Sequence, residues 1–291
     1  MPHPPPPPAG TLSVVATPIG HLEDITLRAL RVLREADLIA AEDTRHTAKL
    51  LNHFAITTRT TSLHEHNERK RSQEIVARLA AGEHVALVTD AGTPLLSDPG
   101  FLLVQEAIAH GIRVEPIPGP SALMTAVAGS GVVEGPFAFL GFPPRRATER
   151  RAWLERLRQL DMALVLFEAP HRLVQTLEAM LLVFGDRPLV VCRELTKLHE
   201  EFVRTTVSEA IQMFGAQTRI GEVTLVLPAI APEESASQEL SDLETWLEIC
   251  RMTESGVGRR DAVATLARRL NRSTRDTYSA AERGKLQAVG D

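Results

Sequence analysis

The chain has 291 residues, 44% of them hydrophobic and 24% charged, with a net charge of -5. That length allows two domains, and the composition is that of a globular protein. No apolar run approaches the roughly 20 residues a bilayer-spanning helix needs, and the acidic balance excludes a surface that clings to nucleic acid everywhere while leaving room for local basic patches.

Residues 1–10 read as a disordered proline-rich tail, because they have neither the basic start nor the apolar core of a signal peptide. A strand over 12–16 stops at Thr17-Pro18-Ile19-Gly20. Asp24 is placed to cap a helix running to about Glu35, with Leu27, Leu30 and Leu33 along one face. A short strand over 38–41 runs directly into Glu42-Asp43-Thr44-Arg45-His46-Thr47, so charge collects at its end. Another over 60–63 leads into His64-Glu65-His66-Asn67-Glu68, and a helix over 72–81 ends at Gly82 in the usual carboxyl-cap position.

The rest of the chain is organised around residues 85–121. A β-branched strand over 85–89 breaks into Asp90-Ala91-Gly92-Thr93-Pro94 and Ser97-Asp98-Pro99-Gly100, which can continue neither strand nor helix. An amphipathic segment over 102–110 and a strand over 114–117 follow, ending at Pro118-Gly119-Pro120-Ser121. Strand and helix alternate throughout 12–120, which predicts a mostly parallel sheet covered by helices, with ligands at the carboxyl edge of its strands.

The expected organisation is an N-terminal α/β domain over 11–121, a small glycine-rich interdomain link over 122–134, and a second α/β domain over 135–230. The second domain has strands over 137–142, 163–167, 189–192 and 223–227, and helices over 148–160, 171–184 and 207–214. Residues 231–242 read as a flexible linker. A helical module over 243–291 contains helices over 246–252 and 261–270, and Ser273 with Asp276 forms a capping box that opens a third. Between Arg259 and Arg275 six arginines stand against one aspartate, as on the basic face of a helix-turn-helix unit or on a solvated face without a partner. Cys192 and Cys250 lie far apart, which points to a reduced cytoplasmic protein.

None of the glycine loops matches a dinucleotide fingerprint or a P-loop. They suit a ligand that needs backbone contacts and a carboxylate but brings no phosphate. S-adenosylmethionine is such a ligand, since an acidic loop residue such as Asp90 can meet its sulfonium or ammonium. His46, His64 and His66 do not make the clear ligand set of a zinc site, and no metal is expected.

Several segments, in order, resemble one branch of the tetrapyrrole methylase superfamily, the ribosomal RNA small-subunit methyltransferase I group. They are Thr17-Pro18-Ile19-Gly20, Ala41-Glu42-Asp43-Thr44-Arg45-His46-Thr47, Leu63-His64-Glu65-His66-Asn67-Glu68, Asp90-Ala91-Gly92-Thr93-Pro94, Pro118-Gly119-Pro120, Phe167-Glu168-Ala169-Pro170-His171-Arg172, Arg193-Glu194-Leu195-Thr196-Lys197 and Gly221-Glu222. The resemblance implies two α/β domains with S-adenosylmethionine in the cleft between them, a homodimer, and 2'-O-methylation of a cytidine ribose in the decoding region of 16S rRNA. By motif position it places cofactor contacts at Ile19, Asp90, Gly92, Thr93, Ser121 and Ala122, with Phe167 or Glu168 from the second domain. Ala169-Pro170 departs from the Ser-Thr expected there, which puts a hydroxyl role at that site in doubt.

A ribose 2'-hydroxyl is a weak nucleophile, so the reaction needs in-line alignment and a proton acceptor. Asp43 or His46 is the expected acceptor, with His64 and His66 as alternatives or as RNA contacts. Arg45, Arg172, Arg193 and Lys197 are expected to meet phosphate or ribose. Two other readings fit less of the chain: a methyltransferase acting on a corrin or porphyrin precursor, and a non-catalytic RNA-binding factor of ribosome assembly. The 4% aromatic content gives little material for a base-stacking platform.

Overall fold

The computed structural model describes residues 10–158, 160–215, 221–229, 240–254, 258–270 and 272–289. The proline-rich tail before Gly10 and most of the expected 231–242 linker lie outside these residues. The chain divides into two compact units, one ending at Pro228 and one beginning at Ala229.

The first half of the larger unit runs β1 (Thr11–Val15), α1 (Leu27–Glu35), β2 (Leu38–Ala41), α2 (Thr44–His53), β3 (Thr60–Ser62), α3 (Glu68–Ala80), β4 (Val85–Val88), α4 (Phe101–Ala109) and β5 (Arg113–Ile117). Its five strands form a wholly parallel sheet in the order β3-β2-β4-β1-β5. Successive side chains alternate faces. Ile39, Ala41, Ala86 and Val88 therefore pack with Leu30, Leu33 and Leu50 on one side, while Leu38, Ala40, Val85 and Leu87 pack with Ile75, Leu79 and Leu103 on the other. Burial on both faces is what makes these strands read as continuous apolar runs. The cap of α1 is Thr26, whose Oγ1 accepts from the Ala29 N–H at 3.0 Å. Asp24, expected in that role, ends a preceding 3-10 turn over Leu22–Asp24.

Residues 122–130, read from sequence as part of a link, are helix α5 (Ala122–Ser130). Leu123 and Ala126 pack with Val165, Val190 and Val226 on one face of the second sheet. That sheet contains β6 (Phe137–Phe139), β7 (Ala163–Glu168), β8 (Pro188–Arg193), β9 (Glu201–Thr206) and β10 (Val223–Leu227), in the order β6-β7-β10-β8-β9. Only β6 and β7 pair in parallel; the other pairs are antiparallel. The opposite face is covered by α6 (Ala147–Leu157), α7 (Leu173–Phe184) and α8 (Val207–Gly215).

The smaller unit holds α9 (Asp242–Glu254), α10 (Arg259–Arg269) and α11 (Thr274–Val289). Ile249, Val263, Leu266 and Ala281 form its own core. The Ser273 hydroxyl accepts from the Asp276 N–H at 3.0 Å, capping α11 as expected. Among the described residues no helix is long and apolar enough to cross a membrane.

Candidate active site

Because β1, β2, β4 and β5 are parallel, their carboxyl ends deliver loops to one edge of the first sheet. Hydrogen bonds tie those loops together. Thr17 and Gly92 exchange backbone N–H···O bonds at 2.9 and 3.0 Å. Thr17 Oγ1 donates to the Thr89 carbonyl at 3.1 Å, and Thr93 Oγ1 to the Pro120 carbonyl at 3.1 Å. Gly92 has φ +83° and lies so close to Ile19 that an added Cβ would stand 3.2 Å from Cγ2, a combination that only glycine meets without strain. The loop after β8 approaches the same place: His21 N–H donates to Thr196 Oγ1 at 3.1 Å.

A cavity of about 250 Å³ opens where these loops meet, and Ile19, Asp90, Gly92, Thr93, Ser121, Ala122 and Phe167 all line it. Phe142 adds to its aromatic wall, with its ring 5.6 Å from that of Phe167. Glu168 does not line it. The Glu168 side chain is fully buried on the far side of β7, where it accepts from Ala169 N–H at 2.8 Å and Thr176 Oγ1 at 2.5 Å and pairs with Arg172 Nε at 3.3 Å. Alternation along the strand sends neighbours Phe167 and Glu168 to opposite faces.

The cavity is acidic. Glu42, Asp90, Asp98, Glu194 and Glu222 line it against Lys197, and Lys197 is already paired with Glu194 at 3.0 Å. Glu42 Oε2 accepts from Thr89 Oγ1 at 2.8 Å and from the Asp90 N–H at 3.5 Å. Burial pushes the Asp90 carboxyl above its ordinary value, against the hydrogen bond from Asp43. Asp98 is pushed up to about 6, first by burial and then by the charges of Glu42, Glu222 and Asp90, with the Thr89 hydroxyl opposing. Sequence reasoning left Glu42, Asp98 and Glu222 without roles. Asp98 had a visible signal, a second carboxylate in the glycine- and proline-rich loop; Glu222 had little.

Other expected site residues are placed differently. Asp43 lies outside the cavity lining: it caps α2 by accepting from the Arg45 N–H at 2.8 Å and pairs with the Arg45 guanidinium at 2.7 Å. The Arg45 contacts hold its carboxyl well below the usual carboxylate range. His46 is exposed on the first turn of α2 and is also absent from the lining. His64 and His66 sit just beyond β3, their rings 5.9 Å apart, on the same sheet edge and outside the cavity. Arg172 donates to the carbonyls of Pro143 and Pro144 besides pairing with Glu168, and Arg193 pairs with Glu201 at 2.8 Å with its side chain only 12% exposed. Both guanidinium groups are held inside the fold and are not presented to phosphate. Arg45, 90% exposed, and Lys197 remain presented outward. Among the described residues no three His, Cys, Asp or Glu side chains gather as metal ligands.

Residues 11–211 match the family model for tetrapyrrole (corrin/porphyrin) methylases. The chain belongs to this family. A ribosomal RNA small subunit methyltransferase I from Thermotoga maritima is 50% identical over 218 residues, 75% of this tetrapyrrole methylase and 98% of its own length. The corresponding protein of Halalkalibacterium halodurans is 48% identical over 239 residues, 81% of this chain and 83% of its own. These relatives place this tetrapyrrole methylase in the ribosomal RNA small subunit methyltransferase I group. A solved uroporphyrin-III C-methyl transferase from Thermus thermophilus, complexed with S-adenyl homocysteine, shares the fold with a TM-score of 0.54 and 20% identity, covering 75% of this chain and 96% of its own.

Proposed function

We propose that this tetrapyrrole methylase uses S-adenosylmethionine to methylate the ribose 2'-hydroxyl of a cytidine in the decoding region of 16S rRNA. The observation that carries this reading is the acidic, aromatic-walled cavity at the meeting of the sheet-edge loops. Its residues fit the cofactor: the Gly92 backbone leaves room for close approach, Phe142 and Phe167 offer an apolar wall, and five lining carboxylates against one lysine suit a cationic ligand. Ile19, Asp90, Gly92, Thr93, Ser121, Ala122 and Phe167 are the proposed cofactor contacts. When bound, S-adenosylmethionine supplies a methyl group on a cationic sulfur.

Arg45, His46, His64, His66 and Lys197 are the proposed RNA contacts, because Lys197 lines the cavity, the others follow β2 and β3 on the sheet edge that carries its loops, and the arginine and lysine carry the charge that phosphate requires. The small ribosomal subunit is the proposed partner and a homodimer the proposed assembly, which light scattering would report as twice the 31.9 kDa chain mass. The deciding experiment is transfer of labelled methyl from S-adenosylmethionine to small subunits from cells lacking this gene, followed by nuclease mapping. Label on the ribose of a decoding-region cytidine is the expected result. Cofactor binding without label on RNA would overturn the substrate and redirect the search to other acceptors.

A further inference from the structure

The β8–β9 connection, residues 194–200, runs from the cavity wall out into solvent. Glu194, Leu195 and Lys197 line the cavity. Leu195 is buried with Val165, Val190 and Val226 on one face of the second sheet, whereas Leu198 is 92% exposed, the farthest out of any large apolar side chain among the described residues. Contacts along the loop hold it in this shape. Arg193 pairs with Glu201 across its base. Within it the Thr196 N–H donates to Glu200 Oε2 at 2.7 Å and the Lys197 N–H to the Glu194 carbonyl at 2.9 Å. The His21 bond to Thr196 fastens it to the loop after β1, and a Cβ added at Gly20 would stand 3.0 Å from the Leu195 carbonyl oxygen. Glu194 and Thr196 have φ +49° and +63°, conformations that residues other than glycine keep only where the surroundings impose them.

We propose that Leu198 and His199 form a wedge that packs between the RNA bases beside the target nucleotide, parting them so that the target ribose can enter the cavity. This rests on the RNA methyl-transfer reading above. Neighbouring bases in folded RNA are stacked, and single nucleotides are recognised there by splaying bases out against side chains. An apolar side chain pushed into a base step takes the place of the stacking that it breaks, and the imidazole ring gives a base a flat partner. Both are positioning residues; neither handles the methyl group or the proton.

The surroundings of the tip suit this partner. Lys197 and His199 flank Leu198, and both are exposed. The nearby acids turn back into the loop: Glu194 pairs with Lys197 at 3.0 Å, and Glu200 accepts from the Thr196 N–H. A single exposed leucine on a surface needs no partner. This one is held out by a strained loop whose own residues line the cavity, so its reach toward an entering nucleotide is fixed.

The test uses the full-length enzyme with Leu198→Ala, Leu198→Met and His199→Ala, and small subunits from cells lacking this gene. Calorimetry gives S-adenosylmethionine affinity, labelled single turnovers give the rate at saturating subunits, and light scattering gives the assembly size. Dimethyl sulfate reactivity of the bases flanking the target is read in complexes stalled with S-adenosylhomocysteine. The wild type is expected to raise that reactivity. Leu198→Ala and His199→Ala should each lose most of the rise and slow transfer about 5- to 150-fold, the worth of one stacking contact, with cofactor affinity within about twofold of wild type. Leu198→Met, apolar and of similar volume, should stay within about threefold. Transfer by either alanine variant within about twofold of wild type, a loss confined to cofactor affinity, or a change in assembly size would each overturn the wedge. Slow transfer with base reactivity equal to wild type would also overturn it and point to a protein of the subunit as the partner. Absence of any transfer to RNA by the wild type would overturn the wedge together with the substrate reading, whereas wild-type transfer that the alanine variants match overturns the wedge alone.

Discussion

The backbone N–H of Asp43 donates to Oδ1 of Asp90 at 3.1 Å, joining the start of α2 to the loop after β4. β2 and β4 are adjacent parallel strands, so their ends are already close, and this bond fixes the loops against each other. One oxygen of Asp90 thus serves the scaffold while the residue lines the cavity. Asp90→Ala removes both functions. Loss of the acceptor for a partly buried N–H costs about 1–3 kcal/mol of folding stability, and loss of a carboxylate's charge-assisted hydrogen bond to the ligand, about 1.5–3 kcal/mol, is expected to lower S-adenosylmethionine affinity about 10- to 150-fold. Titration calorimetry checks this, and unchanged affinity would remove Asp90 from the cofactor site.

Glu168 gives the opposite expectation. It is fully buried, and its partners are Arg172, Thr176 and the Ala169 N–H. Truncation to alanine strands a buried guanidinium, which costs about 3–5 kcal/mol. The midpoint of thermal unfolding should drop by about 10 °C, while cofactor affinity measured well below the transition stays near wild type. A large loss of affinity in folded Glu168→Ala would return this residue to the binding site.

The Phe167–Glu168 pair shows where sequence reading stops. The loops were legible because Gly92, Pro94, Gly119 and Pro120 punctuate them and because parallel topology sends them to one edge. The face each side chain takes near a strand end was not legible without the register of β7. The partners of Arg172 and Arg193 were not legible for a similar reason: an arginine in sequence does not reveal that Glu168 or Glu201 stands opposite it. Helix α5 was hidden by its small residues, yet those residues are small because the second sheet lies close; a Cβ at Gly129 would stand 2.3 Å from the Phe202 ring. Strand β9 was missed because it is an edge strand, paired only with β8, and its mixed polar sequence has no apolar run. Glu222 enters the cavity from the start of β10, distant in sequence from every other acid of the lining except Glu194.

Asp98 also predicts a pH dependence of stability. In the unfolded chain it titrates near the ordinary 3.8, and in the fold near about 6. Between these values the folded state holds a proton that the unfolded state has released. Its contribution is therefore fully present below about pH 4 and is lost as pH rises through about 6. Asp43 works in the other direction, since its lowered value gives stability above pH 3.8 that is lost on acidification. The comparison of interest is thus wild type against Asp98→Asn. The variant should be more stable at pH 7.5 by about 1 kcal/mol, a figure reduced for the partial exposure of the side chain, and the difference should vanish towards pH 4. Equal unfolding midpoints at pH 7.5 would show that the carboxylate cluster imposes no strain on the fold.

The helical unit can be perturbed without touching the cavity. Gly284 on α11 lies against the start of α9 so closely that a Cβ would stand 1.9 Å from the Asp242 carbonyl oxygen and 2.8 Å from the Leu243 nitrogen. Both are backbone atoms, so relief requires the helices to part. At the same crossing Arg283 Nε and Nη2 meet the two Asp242 carboxylate oxygens at 2.7 and 2.9 Å, and separation would break that paired contact as well. Gly284→Ala should destabilise the helical unit by about 1–3 kcal/mol, seen as faster amide hydrogen exchange in α9 and α11. Every lining residue of the cavity precedes Pro228, so S-adenosylmethionine affinity should stay within about twofold of wild type. Methyl transfer to small subunits then reports what the unit contributes. A fall in transfer at unchanged cofactor affinity assigns it to substrate engagement, whereas undiminished transfer with the helices loosened would show that its packing is dispensable for the reaction.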